Sequence, residues 1–217
     1  MELELEKFSV MLLDPTLTDQ MLKEELLFIK QFPIRAVFVL PYQVKRAKQL
    51  LADSQIQIGS FVDYPFGMGT VAKKAFETGQ LYRDGATIVQ TTFEPENMFI
   101  EKHVKQTYEA LEPISFGVGR LGLVFNTREM LEAEKERLFK QMIRFSVKNV
   151  SLGMDLPIEA AIYDLGMFRS SGGGRAIIQI NVKAPTLLDL ELLFQAGADY
   201  IGISNPREVL PLIAKWT

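Results

Sequence analysis

Short unbroken runs of apolar residues, rich in Val, Ile and Phe, recur along the chain and alternate with longer stretches in which apolar positions return every three or four residues. The runs are FSVMLLD (8–14), IRAVFVL (34–40), IQIGSFVD (56–63), ATIVQTTF (86–93), LGLVFN (121–126), VKNVSLG (147–153), AIIQINVK (176–183) and ADYIGIS (198–204). Strands buried on both faces of a parallel sheet are apolar throughout rather than alternating, so these predict parallel strands. PISFGVG (113–119) competes with LGLVFN for the fifth. The stretches between them, 18–32, 41–53, 70–85, 96–112, 127–145, 156–168, 186–197 and 206–216, carry helical stripes, and several open on Thr or Pro as helices do. Eight strand-then-helix units with no long linker predict an α/β fold, a parallel eight-stranded (βα)8 TIM barrel forming one domain over 1–217. An open doubly wound sheet usually needs fewer strands, and GxGxxG is absent after the first. RSSGGGR (169–175) falls between the sixth helix and the seventh strand, which predicts a loop on the side of the barrel away from its active end.

Composition narrows the chemistry. With 217 residues, 47% of them hydrophobic, the chain can bury one sizeable core. Its 24 basic and 27 acidic residues are interleaved and leave a net charge of −3, so neither a nucleic-acid stripe nor a polybasic membrane anchor is expected. There is no cysteine, which removes disulfides, thiolate metal sites and thiol nucleophiles. MELELEKFSV lacks the form of a signal peptide, and no uncharged apolar stretch approaches the ~18 residues of a spanning helix. The expectation is a cytoplasmic protein with a small-molecule partner.

Barrels concentrate chemistry at the C-terminal ends of their strands. The residues expected there are Asp14, Asp63, Gln90, Glu94, Asn126, Asn149, Asp155, Lys183, Ser204 and Asn205. His103, the one histidine, lies inside the fourth helical stretch, so a histidine-based triad is not expected. A lysine in a barrel mouth can attack a carbonyl to form an imine, with a carboxylate such as Asp14 moving protons. The competing reading of Lys183 is a solvated strand-end charge. Asp14, Asp63 and Asp155 could also serve magnesium.

LLDPTLTDQ (12–20), AVFVLPYQVKRAKQLL (36–51), SFVDYPFGMGTVAKKAFET (60–78), RDGATIVQTTF (83–93), LVFNTREMLEAEK (123–135) and NVKAPTLLDLELLFQAGADYIGIS (181–204) together resemble, in order, the deoxyribose-phosphate aldolases, class I aldolases that cleave 2-deoxyribose 5-phosphate to acetaldehyde and glyceraldehyde 3-phosphate. LLDPTLTDQ (12–20) is similar to the family's IDHTLL segment, AVFVLPYQVKRAKQLL (36–51) to AVCVNPxxVxxAKxLL, and SFVDYPFGMGTVAKKAFET (60–78) to VIGFPLGxxxxxxKxxE. RDGATIVQTTF (83–93) resembles GADEIDMVIN, LVFNTREMLEAEK (123–135) resembles IIETxxLxxEE, and NVKAPTLLDLELLFQAGADYIGIS (181–204) resembles the family's VKASGG-to-IGTSS end.

The resemblance implies that Lys183 stands at the proton-relay lysine of VKASGG and Asp14 at the first-strand aspartate. Through SLGM (151–154) it puts the imine lysine of VKTSTGF on Asn149, which cannot form an imine, with Lys148 next to it on the opposite strand face unless a bulge shifts the register. The fourth-strand aspartate falls on neutral Gln90. Pro185 replaces the glycines that present N–H groups to the phosphate, leaving Ser204 and Asn205 for that role, and Asp63 replaces a glycine. The activity implied by the resemblance is that of a carbon–carbon lyase acting on a small aldehyde or sugar phosphate through Lys183, or otherwise Lys148, with no cofactor and with room for a homodimer. The alternatives are a catalytically degenerate barrel that binds a small ligand or acts as a regulatory subunit, and a lyase or isomerase in which Asp14, Asp63 and Asn126 hold a metal.

Overall fold

The computed structural model describes residues 3–94, 97–128, 130–183 and 185–216; Glu96, Glu129 and Ala184, which fall in the stretches named for the sequence, lie outside them. Eight strands form a closed parallel barrel in chain order: β1 (Phe8–Leu12), β2 (Ala36–Val39), β3 (Gln57–Val62), β4 (Ile88–Thr91), β5 (Arg120–Phe125), β6 (Asn149–Leu156), β7 (Ile177–Val182) and β8 (Tyr200–Ile203). Each is followed by a helix: α1 (Asp19–Ile29), α2 (Val44–Leu50), α3 (Val71–Asp84), α4 (Glu101–Ser115), α5 (Glu132–Arg144), α6 (Ile158–Ser170), α7 (Leu187–Gln195) and α8 (Pro206–Trp216). No helix among the described residues is long and apolar enough to cross a membrane.

Closure divides the hydrophobic residues into two cores. Val10, Val37, Val89, Leu123, Leu152, Ile180 and Ile203 face outward and pack against the helices. Met11, Ala36, Phe38, Phe61, Ile88 and Val124 fill the barrel itself, with Leu13, Tyr64 and Met154 above them. Gly59 makes this filling possible, because a Cβ there would stand 2.4 Å from the Phe38 ring. Thr18, Thr70 and Thr186 cap α1, α3 and α7 by accepting from the N–H three residues on, each worth about 1 kcal/mol.

The fifth strand is the LGLVFN run. PISFGVG instead ends α4 and turns through Gly117 at φ 75°, a left-handed conformation that suits glycine. The sixth strand extends past its expected end to Leu156, with an irregularity between Leu152 and Leu156 where Gly153 (φ 73°) and Asp155 (φ 56°) are left-handed. RSSGGGR lies between α6 and β7 as expected, and Arg169 ties it down by donating to the carbonyls of Gly173, Ala176 and Gly197.

Candidate functional site

Strand alternation decides which side chains reach the mouth. On β7, Ile178, Ile180 and Val182 belong to the outer core, while Gln179 and Asn181 point into the barrel. Lys183 lies one residue past the strand, where it is exposed. Among the described residues no carboxylate lies within ion-pair distance of its Nζ.

Asp14 stands two residues beyond β1, also exposed. Its carboxylate accepts from the Thr16 N–H at 2.8 Å and the Thr16 hydroxyl at 2.7 Å. Those two donors, the hydroxyl first, hold it below the ordinary carboxylate range, so it is ionised at neutral pH. Asp14 shares a cleft of about 380 Å³ with Leu13, Leu17, Ser204, Asn205 and Arg207. The Ser204 hydroxyl donates to Asp155 at 2.7 Å, and Asn205 donates to Glu208 at 2.8 Å while its Oδ1 is buried without a partner. The mouth thus gathers Asp14, Ser204 and Asn205 at the β1–β8 seam. Asn126 lies past β5, exposed, and accepts from the Arg128 N–H at 3.4 Å in a local turn.

Of the expected mouth residues, Asn149 is elsewhere, and Gln90 and Asp63 are engaged by neighbouring side chains. Asn149 is the first residue of β6, not one near its end: it sits at the N-terminal face, where its amide donates to the Leu121 carbonyl at 2.9 Å. Lys148 lies beside it on the same face, exposed, with Nζ 3.5 Å from Glu112. The physical reason is that β6 extends to Leu156, so its C-terminal end is seven residues further on. Gln90, one residue before the C-terminal end of β4, is buried inside the barrel, and its amide donates to the Ser151 hydroxyl at 2.6 Å. Ser151 is therefore the β6 residue that meets the fourth-strand position. Asn149 and Ser151 are two apart and share a strand face, so a two-residue shift of the VKTSTGF match keeps every side chain on its side and brings the motif's lysine onto Ser151.

Asp63 does not project into the mouth as a free carboxylate. It takes φ 60° in the β3–α3 corner, its side chain 7% exposed, and it accepts from the Gly69 N–H and from Lys73 at 2.6 Å, with Lys74 at 3.6 Å. Its own N–H donates to Glu77 at 3.0 Å. Burial opposes its charge, but Lys73, the Gly69 N–H and Lys74 together hold the carboxyl below its ordinary range. Lys74 was not singled out from sequence, although the KxxE part of the resemblance falls on it. It is fully buried, donating to the carbonyls of Gly67 at 2.8 Å and Thr92 at 2.5 Å and lying 4.8 Å from the Phe93 ring centroid. Burial pushes its pKa down, against the charges of Asp63 and Glu94.

His103 lies in α4 edge-on to Phe93 at 6.2 Å. Among the described residues no group of three His, Asp or Glu side chains could hold a metal ion; Asp14, Asp63 and Asp155 are each engaged separately.

No family model matches the chain. It is 24% identical over 182 residues to the deoxyribose-phosphate aldolase of Bacillus mycoides, covering 81% of this chain and 80% of that one. It is also 24% identical over 200 residues to deoxyribose-phosphate aldolase 1 of Oceanobacillus iheyensis, covering 89% of each. Among solved structures, QR15, an aldolase, matches with a TM-score of 0.83 at 19% identity over 97% of this chain and 96% of that one. A tetrameric deoxyribose phosphate aldolase from Aeropyrum pernix matches with a TM-score of 0.82 at 14% identity, over 98% and 92%. At these identities the solved structures establish the barrel and nothing finer.

Proposed function

We propose that this chain, a divergent relative of the deoxyribose-phosphate aldolases, is a carbon–carbon lyase whose imine-forming amine is Lys183. One observation carries the reading: Lys183 follows directly on the C-terminal end of β7, open to solvent, with no described carboxylate claiming its charge. An amine in that position condenses with the carbonyl of a small β-hydroxy aldehyde or its phosphate ester, and water leaves. The resulting iminium accepts the electron pair of the Cα–Cβ bond as the β-hydroxyl gives up its proton, so the β-carbon leaves as an aldehyde and an enamine remains on the lysine. Protonation of the enamine and hydrolysis then return the lysine. Asp14 is the ionised carboxylate proposed to take the hydroxyl proton. No cofactor is required. The backbone N–H groups of Ser204 and Asn205 are the proposed anion contacts, since Pro185 offers none.

Borohydride reduction in the presence of acetaldehyde tests this. Mass spectrometry is expected to find one adduct, on Lys183, and to lose it in Lys183→Met. Finding every lysine unmodified, or the adduct unchanged in that variant, would overturn the assignment.

A second reading rests on the Gln90–Ser151 hydrogen bond, a neutral pair at the interior level where the family resemblance expects an aspartate and a lysine. It makes the chain a binding or regulatory barrel without aldol chemistry, and lysine-dependent cleavage of 2-deoxyribose 5-phosphate would remove it. In either reading we place the protein in the cytoplasm with a small-molecule ligand, and light scattering would decide between monomer and homodimer.

A further inference from the structure

The opposite end of the barrel carries charge that the lyase chemistry does not use. A cavity of about 730 Å³ opens at the N-terminal face, and Arg35, Arg120, Gln57 and Tyr200 line it. The Arg35 guanidinium stacks on Tyr200, its centre 3.6 Å from the ring centroid, and Nη1 donates inward to Gln179 at 2.9 Å and Ser9 at 3.3 Å. Nε is buried and has no acceptor. A guanidinium can engage an oxyanion with two parallel hydrogen bonds, and Arg35 lines the cavity together with Arg120.

Among the described residues neither Arg35 nor Arg120 has a carboxylate within ion-pair distance. Of the carboxylates around the cavity, Asp53 is taken by Lys30, and Glu6 is exposed at the rim. Burial pushes the Arg35 pKa down to about 10, Tyr200 opposing the fall and the Arg120 charge adding to it. Water in the cavity would not offset two like charges in a partly desolvated recess.

We infer that the N-terminal face of the barrel is a second binding site, for a phosphate dianion held between Arg35 and Arg120, separate from the mouth. The ligand is free phosphate or the phosphate group of a small ester, and both present the same oxygens to the guanidinium fork. The inference does not depend on the lyase reading, because the two sites lie at opposite ends of the strands.

Calorimetric titration of the full chain with inorganic phosphate, at ionic strength held constant with sodium chloride, is the test. A saturable site that depends on Arg35 and Arg120 is expected, apart from any binding at the mouth. Its affinity should fall at least about tenfold in Arg120→Gln, whose side chain is exposed and outside the core, and also in Arg35→Lys, which keeps a charge but loses the fork. It should rise in Glu6→Gln and stay unchanged in Lys183→Met. Methyl phosphate binding more tightly than inorganic phosphate would mark an ester as the ligand; equal affinity would mark the free ion. Heat no greater than that of the chloride control, full affinity in Arg120→Gln, or loss of binding in Lys183→Met would each overturn the proposal.

Discussion

Lys74 and Lys183 both stand at the C-terminal end of the barrel, one at the β3–α3 corner and one just past β7. Lys74 is wholly buried, and burial pushes its pKa down, two traits usually sought in a reactive lysine. Yet its ammonium donates to two carbonyls, sits near Asp63 and faces an aromatic ring, so it has neither a free electron pair nor room for a substrate. Lys183 has the opposite character, being exposed past the end of β7 with no described ion pair. Perturbation marks a residue that the fold has used; reactivity also needs access.

The sharpest way to break this contrast is Lys74→Met. It leaves two buried carbonyls without their donor and Asp63 with Lys73 alone, so a loss of roughly 2–6 kcal/mol in urea unfolding is expected, about 1–3 for each carbonyl. A loss below about 1 kcal/mol, the range of an exposed ion pair, would show that Lys74 does not hold the corner together. Inside the barrel, Gln90→Leu strips the Ser151 hydroxyl of its donor and should cost about 1–3 kcal/mol by the same measurement.

Acid unfolding tests the corner from its anionic side. The folded Asp63 pKa is below its unfolded value, so its contribution is fully present above the unfolded value near 3.8 and is lost as pH falls through the folded one. Asp63→Asn, in a residue type that tolerates φ 60°, should flatten stability against pH below 3.8. An unchanged acid limb would show that Asp63 contributes nothing to acid stability. Lys74 acts in the opposite pH range. Its lowered pKa means that its charge opposes folding at neutral pH, and this opposition fades as pH rises from the folded value towards 10.5. The smallest stability effect belongs to Lys183→Met, within about 0.5 kcal/mol as for an exposed residue, although it should abolish the borohydride adduct. A large destabilisation there would mean that Lys183 is structural and would end the contrast.

The positions that could be read from sequence are those whose role is local. Thr18, Thr70 and Thr186 announced helix starts, and β7 ends one residue short of Lys183, close to its expected end. Asn149 and Lys148 were misplaced because their strand extends beyond its apolar run, through Gly153 and Asp155 to Leu156. Lys74 escaped notice because a lysine in an amphipathic helix ordinarily faces water, and only the fold of the β3–α3 corner over it buries this one.

What the sequence determined by itself is the number, order and kind of the eight strand–helix units, because apolar period and helix caps act over a few neighbouring residues. Depth within the barrel was decided only by the tertiary structure. Asn149 and Ser151 share one face of one strand and are indistinguishable by alternation. Ring closure pairs Ser151 with Gln179 and places it against Gln90, leaving Asn149 at the floor, and strand register of that kind is set by all eight strands together.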